Sequence, residues 1–369
     1  MTRTVHVPLG TRAYDVKIGA GLLDRAGHEI RELLPSRRLV VVTDEAMAGT
    51  PHLARLEASL AEAGLSFRTV TVPQGEGSKS WAVLERVCEA VLEPGIDRKT
   101  AILALGGGVV GDLAGFAASI LLRGLPFVQA PTTLLAQVDS SVGGKTGINA
   151  RSGKNLVGAF HQPRVVLIDP TTLDTLPVRE LRAGYAEVAK YGLIRDEAFF
   201  AWLEEHGQGV IDGDQEARTH AIERSCTLKA EIVGDDEFET KGGRALLNFG
   251  HTFAHAYENL SGYGGRLLHG EAVGIGMVQA TELSVRSGHL PAGSTSRVRR
   301  HLQSLGLKVS PGEVTNQGFA ADAMLTAMRR DKKTTDGTIN FVLLRRLGEA
   351  FTSSAVDPDV LRELLDRPV

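Results

Sequence analysis

The chain contains very little cysteine: two of its 369 residues, Cys88 and Cys226. They show no C-x-x-C spacing, so we expect neither a disulfide framework nor a thiolate metal site. A reducing compartment is the expected location. Long apolar runs are also lacking. The longest, such as 117–122, is far too short to span a bilayer, and residues 1–19 lack the apolar core of a signal peptide. We therefore expect a cytoplasmic protein with no membrane partner.

Neither sign of charge dominates the chain. It carries 41 Lys and Arg against 44 Asp and Glu, for a formal net charge of -3. No broad basic field is available to bind nucleic acid, so an anionic substrate would have to meet local clusters of cations. The sequence shows no internal repeat and no low-complexity tract. Its length suffices for one large or two medium domains.

The first half of the chain alternates β-rich runs with helical stretches. Alternation of this kind predicts a parallel sheet with helices on its faces and ligands at the carboxyl ends of the strands. Segments 51–64 and 80–92 show helical apolar spacing. The runs that predict buried strands are 39–43, 67–72, 101–105, 127–130 and 165–168.

From about residue 175 helical periodicity dominates the sequence. The exceptions are a glycine-rich loop at 261–265 and a late β-like run at 338–344. We therefore predict two domains: an α/β domain with a Rossmann-like parallel sheet over residues 1–178, and a mostly α-helical domain over residues 179–369.

A glycine-rich turn directly follows the predicted strand 101–105. Gly106, Gly108 and Gly111 form G-x-G-x-x-G, which allows the backbone to approach a pyrophosphate at a helix N-terminus. A tight strand-to-helix turn is the plainer interpretation, and no acidic residue follows about 20 residues later, where a dinucleotide fingerprint has one. The motif indicates a phosphate-bearing ligand without naming it. Segment 74–79, Q-G-E-G-S-K, is a weaker candidate of the same kind.

Segment 244–257, R-A-L-L-N-F-G-H-T-F-A-H-A-Y, predicts an apolar helix with a narrow polar stripe. An exposed polar face is the plainer interpretation, but the narrow polar arc favours a site. The H-E-x-x-H glutamate of metalloproteases is missing. Four polar side chains fall within about 60° at 100° per residue: Arg244, Asn248, His251 and His255.

Two further predicted helices carry candidate metal ligands. Glu187 and Lys190 share one of them, where an i, i+3 salt bridge is the plain interpretation, and His269 opens the other. One carboxylate and two imidazoles from separate helices would form an open three-ligand zinc site. Spacing alone does not decide which two of His251, His255 and His269 bind.

Segment 131–155 is rich in hydroxyl groups and contains two lysines that have glycine as a neighbour, Lys145 and Lys154. Solvated surface cations are the plain interpretation, but the glycines leave room for a phosphate. Further cations in predicted loops or helix ends are Arg123, Lys229, Lys332 and Lys333.

These segments together resemble the 3-dehydroquinate synthase family of sugar phosphate cyclases, over nearly the whole chain. The resemblance implies an NAD- and metal-dependent carbon–oxygen lyase of the shikimate pathway, which leads to chorismate and the aromatic amino acids. It also implies a homodimer and an active site in the cleft between the two domains. The motifs that carry the resemblance are A-L-G-G-G-V-V-G-D, P-T-T-L-L-A-Q-V-D-S-S-V-G-G-K-T, G-K-N-L-V-G-A-F, A-E-V-A-K-Y-G, L-N-F-G-H-T-F-A-H-A and L-H-G-E-A-V.

The resemblance also implies roles for individual residues. The metal, zinc or alternatively cobalt, would be held by Glu187, His251 and His269. Catalytic roles fall to His255, Lys145, Lys190 and Glu239. Substrate contacts would be Arg123, which would reach the neighbouring subunit's site, and Asp139, Lys145, Asn155, Lys190, Lys229, Arg244, Asn248, His255 and Lys332. NAD contacts would be Asp44, Gly75, Glu76, Ser78, Lys79, Gly107, Gly108, Val109, Val110, Gly111, Asp112, Thr132, Thr133, Lys145, Lys154, Thr172, Leu173, Asp174 and Thr175.

The implied substrate is 3-deoxy-D-arabino-heptulosonate 7-phosphate, a small-molecule sugar phosphate. It would become 3-dehydroquinate by transient oxidation by NAD, phosphate elimination, re-reduction and intramolecular aldol closure. Alternatives are cyclases that make 2-deoxy-scyllo-inosose or 2-epi-5-epi-valiolone from substrates without a carboxylate, and a metal-dependent polyol dehydrogenase. One departure is local: the family's D-E-R-E pattern has Phe238 here, and an extra residue separates Glu239 from Arg244. The register around Glu239 therefore stays open.

Overall fold

The computed structural model describes residues 2–262, 266–315, 318–329 and 339–366. The chain forms two compact units. The first unit comprises Met1–Pro177 and Arg218–Phe238, and the second comprises Val178–Ala217 and Glu239–Val369. Residues 218–238 lie beyond the boundary that the sequence predicts at residue 178, yet they group with the first unit. Within that unit the thiol of Cys226 donates to the carbonyl of Gln137 at 3.3 Å.

The first unit is built on a seven-stranded sheet. The strand order is β1-β2-β9-β6-β5-β3-β4, and every neighbouring pair is parallel except β1 with β2. The predicted α/β architecture is confirmed. The strands of this unit are β1 (Arg3–Val7), β2 (Tyr14–Ile18), β3 (Arg38–Asp44), β4 (Ser66–Val72), β5 (Ala101–Gly106), β6 (Phe127–Pro131), β7 (Lys145–Ala150), β8 (Gly153–Phe160) and β9 (Val165–Ile168).

Both faces of the central strands are buried, which explains their continuous apolar sequences. Along β3, Leu39 and Val41 belong to one core cluster, while Val40 and Val42 belong to the other. Successive side chains of a strand point to opposite faces, so each face needs its own cover of helices. The helices of this part of the chain are α1 (Ala26–Arg31), α2 (Glu45–Ala48), α3 (Pro51–Glu62), α4 (Trp81–Leu92) and α5 (Gly108–Ile120).

The strand order places the ligand-binding edge of this sheet. The chain passes from β3 outward to β4 and then returns to β5 on the other side of β3. In open parallel sheets, ligands bind at the carboxyl ends of strands where the order reverses in this way. Asp44 ends β3 and Gly106 ends β5, so these two residues flank the reversal.

Strands β7 and β8 form a separate antiparallel hairpin in the first unit. The hydroxyl groups and the glycines beside Lys145 and Lys154 predict no strand in this segment. Two glycines explain the pairing, because the Cβ of any other residue at Gly147 would lie 2.6 Å from the carbonyl of Val157, and one at Gly158 would lie 2.1 Å from the carbonyl of Thr146. The close approach of the two backbones therefore requires glycine in both strands.

The second unit is mostly helical, as the sequence predicts. Its long helix α10 packs against α6, α9, α11, α13 and strand β10, which pairs with β11. The later elements of the chain are α6 (Val178–Arg195), α7 (Glu197–Asp212), α8 (Gln215–Asp235, mostly in the first unit), α9 (His251–Ser261), α10 (His269–Arg286), α11 (Ser294–Ser304), α12 (Ala321–Arg329), β10 (Phe341–Arg346), β11 (Glu349–Ser353) and α13 (Pro358–Asp366). No helix within the described ranges is long and apolar enough to cross a membrane.

The predicted continuous helix over 244–257 is wrong. Gly243–Asn248 forms a 3-10 helix, and α9 begins only at His251. Gly250 has a φ of 79°, and a Cβ there would lie 2.7 Å from the backbone nitrogen of Met277. The chain therefore turns at Gly250 because α10 packs directly against it, and the stripe of four polar side chains is divided between two helices.

Candidate active site

Three helices of the second unit bring three metal-ligand side chains together. Glu187 lies in the middle of α6, His251 begins α9 and His269 begins α10. One carboxylate oxygen, Oε1 of Glu187, lies 3.5 Å from Nε2 of each histidine, and the three ligand atoms all lie within 4.8 Å of one another. Two ligands about 2.1 Å from a tetrahedral zinc ion are about 3.4 Å apart. The spacing fits one divalent cation.

Glycines of α10 allow these helices to approach so closely. A Cβ at Gly270 would lie 1.9 Å from the carbonyl of Ala183 in α6, one turn before Glu187. A Cβ at Gly276 would lie 2.1 Å from the carbonyl of Gly250, directly before His251. Backbone-to-backbone contact on both sides of α10 therefore sets the distances within the cluster.

The second ring nitrogen of each histidine is engaged by an oxygen acceptor. Nδ1 of His251 donates to the carbonyl of Phe249 at 3.1 Å, and Nδ1 of His269 donates to Oε2 of Glu258 at 3.3 Å. Donation from Nδ1 leaves Nε2 as the atom that bears the free electron pair, which is the atom that faces Glu187. In the neutral form of each imidazole, Nε2 is therefore the nitrogen that would bind a metal, and a metal would replace any proton on it.

The charges around the cluster favour a cation. Burial acts to lower the pKa of His269, but hydrogen bonds to Glu187 and Glu258, with the charges of both carboxylates, raise it to about 10. The carboxylates therefore stabilise positive charge where a divalent metal would supply it. Lys190 forms an ion pair with Glu187, as the i, i+3 spacing predicts, and both side chains are almost fully buried.

The remaining predicted residues of the second unit differ in their distance from the cluster. The His255 ring centroid lies 5.6 Å from that of His251 and 6.4 Å from that of His269, so His255 borders the cluster. Arg244 is 1% exposed on the 3-10 helix, which also carries Asn248, whose amide donates to the carbonyl of Ala245 at 3.1 Å. Glu239 is exposed, and Lys332 lies outside the described residues.

In the first unit, the predicted NAD residues follow the carboxyl ends of parallel strands. Because those ends share one edge of the sheet, the loops form one candidate site. Asp44 ends β3 and caps α2, where it accepts from the backbone nitrogen of Met47 at 2.8 Å. The other segments follow in turn: Gly75–Lys79 after β4, Gly107–Asp112 after β5, Thr132 and Thr133 after β6, and Thr172–Thr175 after β9.

Lys79 joins two of these loops and the β7–β8 hairpin. Its ammonium donates to Oδ2 of Asp112 at 2.6 Å and to the side-chain oxygen of Asn155. Glu76 accepts from the side-chain amide nitrogen of Asn149 at 2.7 Å, and the side-chain Oδ1 of Asn149 accepts from the backbone nitrogen of Asn155 at 2.9 Å. Burial raises the pKa of Asp112, and the ammonium of Lys79 opposes that shift only in part.

The glycine-rich turn forms the predicted strand-to-helix connection. Gly107 caps α5 and Gly108 is its first residue. A Cβ would lie 3.1 Å from Thr133 at Gly107 and 3.0 Å from Ser140 Oγ at Gly108. At Gly111 it would lie 2.8 Å from the side-chain oxygen of Gln129. Because these glycines carry no side chain, a ligand's phosphate can come close to the backbone of the turn. Val109 and Val110 complete the first turn of α5.

The 3-10 helix Pro170–Thr175, which includes Leu173, is held by side-chain hydrogen bonds. Thr172 donates to the carbonyl of Asp169 at 2.8 Å, Thr175 contacts Nε2 of His52 at 2.9 Å, and Arg218 pairs with Asp174 at 2.6 Å. Ser78, in the loop after β4, donates to the carbonyl of Pro73 at 2.5 Å. These bonds fix the loop backbones at the sheet edge.

Strained backbone coincides with predicted site residues. Four non-glycine residues in the described ranges have positive φ: Leu122 at 48°, Arg123 at 67°, Asn155 at 54° and Glu239 at 59°. Three of the four are predicted substrate or catalytic residues, and strain of this kind concentrates at functional sites.

The predicted cations of the first unit differ in their setting. Lys229 is buried and donates to both the carbonyl and Oδ1 of Asp139, at 2.5 and 2.8 Å, so these two predicted substrate residues do meet. Lys145 begins β7 and is exposed, whereas Lys154 is half-buried near the start of β8.

Two residues of these networks were missed by sequence reasoning. Asn149 bridges Glu76 and Asn155, and nothing in the sequence singles it out within the hairpin. Glu258 accepts from His269, and it could have been found from its position in α9. It lies seven residues after His251, which places both on one helix face.

Comparison with known proteins identifies the family. The sequence matches two family models, 3-dehydroquinate synthase N-terminal over residues 69–183 and 3-dehydroquinate synthase C-terminal over residues 184–334. It is 55% identical over 368 residues to a 3-dehydroquinate synthase of Nitrobacter winogradskyi, covering 99% of this chain and 95% of that protein. A 3-dehydroquinate synthase of Cereibacter sphaeroides is 53% identical over 362 residues, covering 98% and 97%.

Solved structures of related enzymes share the fold. A 2-epi-5-epi-valiolone synthase from Streptomyces hygroscopicus subsp. jinggangensis, with NAD+ and Zn2+ bound, superposes with a TM-score of 0.86 at 32% identity over 95% of each chain. A 2-deoxy-scyllo-inosose synthase complexed with carbaglucose-6-phosphate, NAD+ and Co2+ superposes with a TM-score of 0.85 at 25% identity over both whole chains. The matches to the two family models and the full-length relatives agree, and the chain belongs to the 3-dehydroquinate synthase family.

Proposed function

We propose that this chain converts 3-deoxy-D-arabino-heptulosonate 7-phosphate to 3-dehydroquinate and phosphate. The observation that carries the proposal is the cluster of Glu187, His251 and His269, whose ligand atoms lie within 4.8 Å of one another in a chain of this family. The full-length relatives bear the name 3-dehydroquinate synthase. NAD is the proposed redox cofactor, because the solved neighbours hold it together with Zn2+ or Co2+.

The cofactors and the residues that would bind them have separate roles in the proposed reaction. NAD supplies reversible oxidation of a substrate hydroxyl and the metal supplies Lewis-acid polarisation. Glu187, His251 and His269 would hold the metal. The strand-end loops Gly75–Lys79 and Gly107–Asp112 would hold the dinucleotide, with the first turn of α5 facing its phosphates.

The substrate's anionic groups would be met by predicted residues of the second unit. Arg244 would bind the carboxylate, because a guanidinium suits two-pronged contact with a carboxylate. His255 borders the metal cluster and, with Asn248, would hold the phosphate. Glu239, the fourth proposed catalytic residue, is exposed with a φ of 59°.

Phosphate release tests the reaction directly. We expect 3-deoxy-D-arabino-heptulosonate 7-phosphate to release phosphate only when both NAD and a divalent metal are present, with NAD unchanged at the end. A chelator should abolish release, and added Co2+ or Zn2+ should restore it. A polyol dehydrogenase would instead accumulate one NADH per product, and that result would refute the proposal.

Arg244 allows the carboxylate specificity to be tested. Arg244→Ala should weaken binding of the heptulosonate phosphate far more than binding of NAD. Lys241→Ala, which removes an exposed cation three residues earlier, should affect neither. Equal weakening of substrate and NAD by Arg244→Ala would contradict the assignment. Turnover of a hexose 6-phosphate without a carboxylate would instead favour one of the other cyclase activities.

A homodimer is the proposed assembly. Leu156 and Phe160 lie four residues apart in β8, on one face of the strand, with exposed fractions of 45% and 39%. The Phe160 ring centroid lies 5.4 Å from that of Phe238, which is 48% exposed. Exposed apolar clusters of this kind favour an interface. Sedimentation should give twice the 39.4 kDa of one chain, and Phe160→Asp should lower it, unlike Leu33→Asp at a separate exposed leucine. A monomeric parent would rule the dimer out.

The cytoplasm is the proposed location. Neither Cys88 nor Cys226 forms a disulfide, which suits a reducing compartment.

A further inference from the structure

Glu258 stands directly behind one of the three metal-ligand residues. Its carboxylate is 7% exposed, and Oε2 lies 3.3 Å from Nδ1 of His269, on the side of the ring opposite the nitrogen that faces Glu187. Neither the reaction nor the family comparison assigns a role to this side chain.

Helix α9 places Glu258 beside His269 by a simple periodicity. Seven residues separate His251 from Glu258, so their side chains leave the helix about 20° apart in direction and about 10 Å apart along the axis. The imidazole of His269 reaches α9 at this face, since its centroid lies 5.2 Å from that of His251. One helix thus supplies a metal ligand and the acceptor that holds the ligand of the next helix.

The two histidines need their acceptors to different degrees. The side chain of His251 is 10% exposed and donates to a backbone carbonyl, whereas the side chain of His269 is 32% exposed and donates to a carboxylate. Packing therefore restrains His269 less, and its orientation depends more on the hydrogen bond. An anionic acceptor also makes the opposite ring nitrogen a stronger donor to a metal.

We propose that Glu258 is a positioning residue of the metal site: it fixes the ring of His269 with Nε2 toward the cation and strengthens that nitrogen as a ligand. The proposal rests on the metal site of the proposed function, but it concerns metal binding and not turnover. It can therefore be tested by metal affinity in the absence of NAD and substrate.

Cobalt titration of the full chain provides the test. The dissociation constant for Co2+ would be measured by competition with a coloured chelator, and the visible absorption of bound Co2+ would report its ligand geometry. Loss of an outer carboxylate typically weakens metal binding by about 10–100-fold, and we expect Glu258→Ala to fall in that range with an altered Co2+ spectrum. Glu258→Gln retains an oxygen acceptor, so it should recover part of the affinity and the parent spectrum.

Glu282→Gln is the matched control. Glu282 is also a hydrogen-bonded carboxylate, accepting from Arg286 and Thr295 at 2.8 Å each. It lies in α10 as His269 does, but 13 residues, about 20 Å, further along the helix. It should bind Co2+ as the parent does. Thermal unfolding in chelator would verify that each variant is folded, and Glu258→Gln carries the test if Glu258→Ala does not fold.

Several outcomes would overturn the proposal. One is a Co2+ affinity of Glu258→Ala within twofold of the parent's, with an unchanged spectrum. Another is an equal loss of Co2+ affinity in Glu258→Gln and Glu282→Gln. Absence of Co2+ binding by the parent would also overturn the proposal. If the parent bound Co2+ tightly but released no phosphate from the heptulosonate phosphate, the proposed function alone would be refuted and the role of Glu258 would be unaffected.

Discussion

The buried ion pair of Glu187 and Lys190 allows a quantitative prediction of the free energy of unfolding. The side chains are 1% and 2% exposed, and they lie within the apolar part of α6. Removing one partner of a buried ion pair costs about 3–5 kcal/mol, whereas replacing both by apolar side chains of similar size is often neutral or stabilising by about 1–4 kcal/mol. The pair should therefore add little to the free energy of unfolding, and its role should lie in metal binding.

Two variants separate these roles. Glu187→Leu should lower the free energy of unfolding by about 3–5 kcal/mol, because it leaves the ammonium of Lys190 buried without this carboxylate. The double variant Glu187→Leu/Lys190→Met should return to the parent value or exceed it. Neither variant should bind Co2+ as the parent does, since both lack the carboxylate ligand.

Urea unfolding in excess chelator is the assay, so that metal binding does not contribute. The chain has two tryptophans, of which Trp81 is in the first unit and Trp202 in α7 of the second. A Trp81→Phe background would make fluorescence report the second unit alone. If the double variant were as unstable as Glu187→Leu, the loss would come from packing and the electrostatic reasoning would be refuted.

Two further predictions concern glycines. Gly250→Ala should lower the free energy of unfolding by about 1–3 kcal/mol through crowding, since its Cβ would lie 2.7 Å from the backbone nitrogen of Met277. Gly242 also has a positive φ but lacks such a contact, so Gly242→Ala is the control. If urea unfolding showed the same loss of stability in both variants, the effect would come from backbone strain and not from crowding. Gly108→Val should weaken NAD binding, measured by calorimetry, by about tenfold or more, because its side chain would press on Ser140 Oγ at the first turn of α5. Its Co2+ affinity should equal that of the parent, and unchanged NAD affinity would contradict the dinucleotide assignment.

Much of the first unit follows from sequence pattern. Apolar runs such as 39–43 and 101–105 predict buried strands, and the structure has strands over Arg38–Asp44 and Ala101–Gly106. The runs are continuous because both faces of the sheet are covered, which is a strong signal. The β7–β8 hairpin gave no such signal. Its pairing depends on Gly147 and Gly158, and glycine in a polar segment predicts a loop as readily as a strand.

The metal cluster shows where sequence reasoning ends. Spacing identified Glu187 and three histidines as candidates but left open which two histidines bind, and the resemblance named His251 and His269. The structure places both 3.5 Å from Glu187 Oε1. Helical spacing wrongly joined Arg244 to this stripe, because the periodicity contains no sign that Gly250 turns against Met277. Contacts between distant segments decide such a break, and a local pattern does not record them.

The most direct test of the metal site is anomalous diffraction from crystals of the zinc-loaded protein. A single strong peak is expected about 2.0–2.2 Å from the Glu187 carboxylate and from Nε2 of both His251 and His269. A peak held by His255 in place of either histidine, or no peak among these residues, would contradict the assignment of the site.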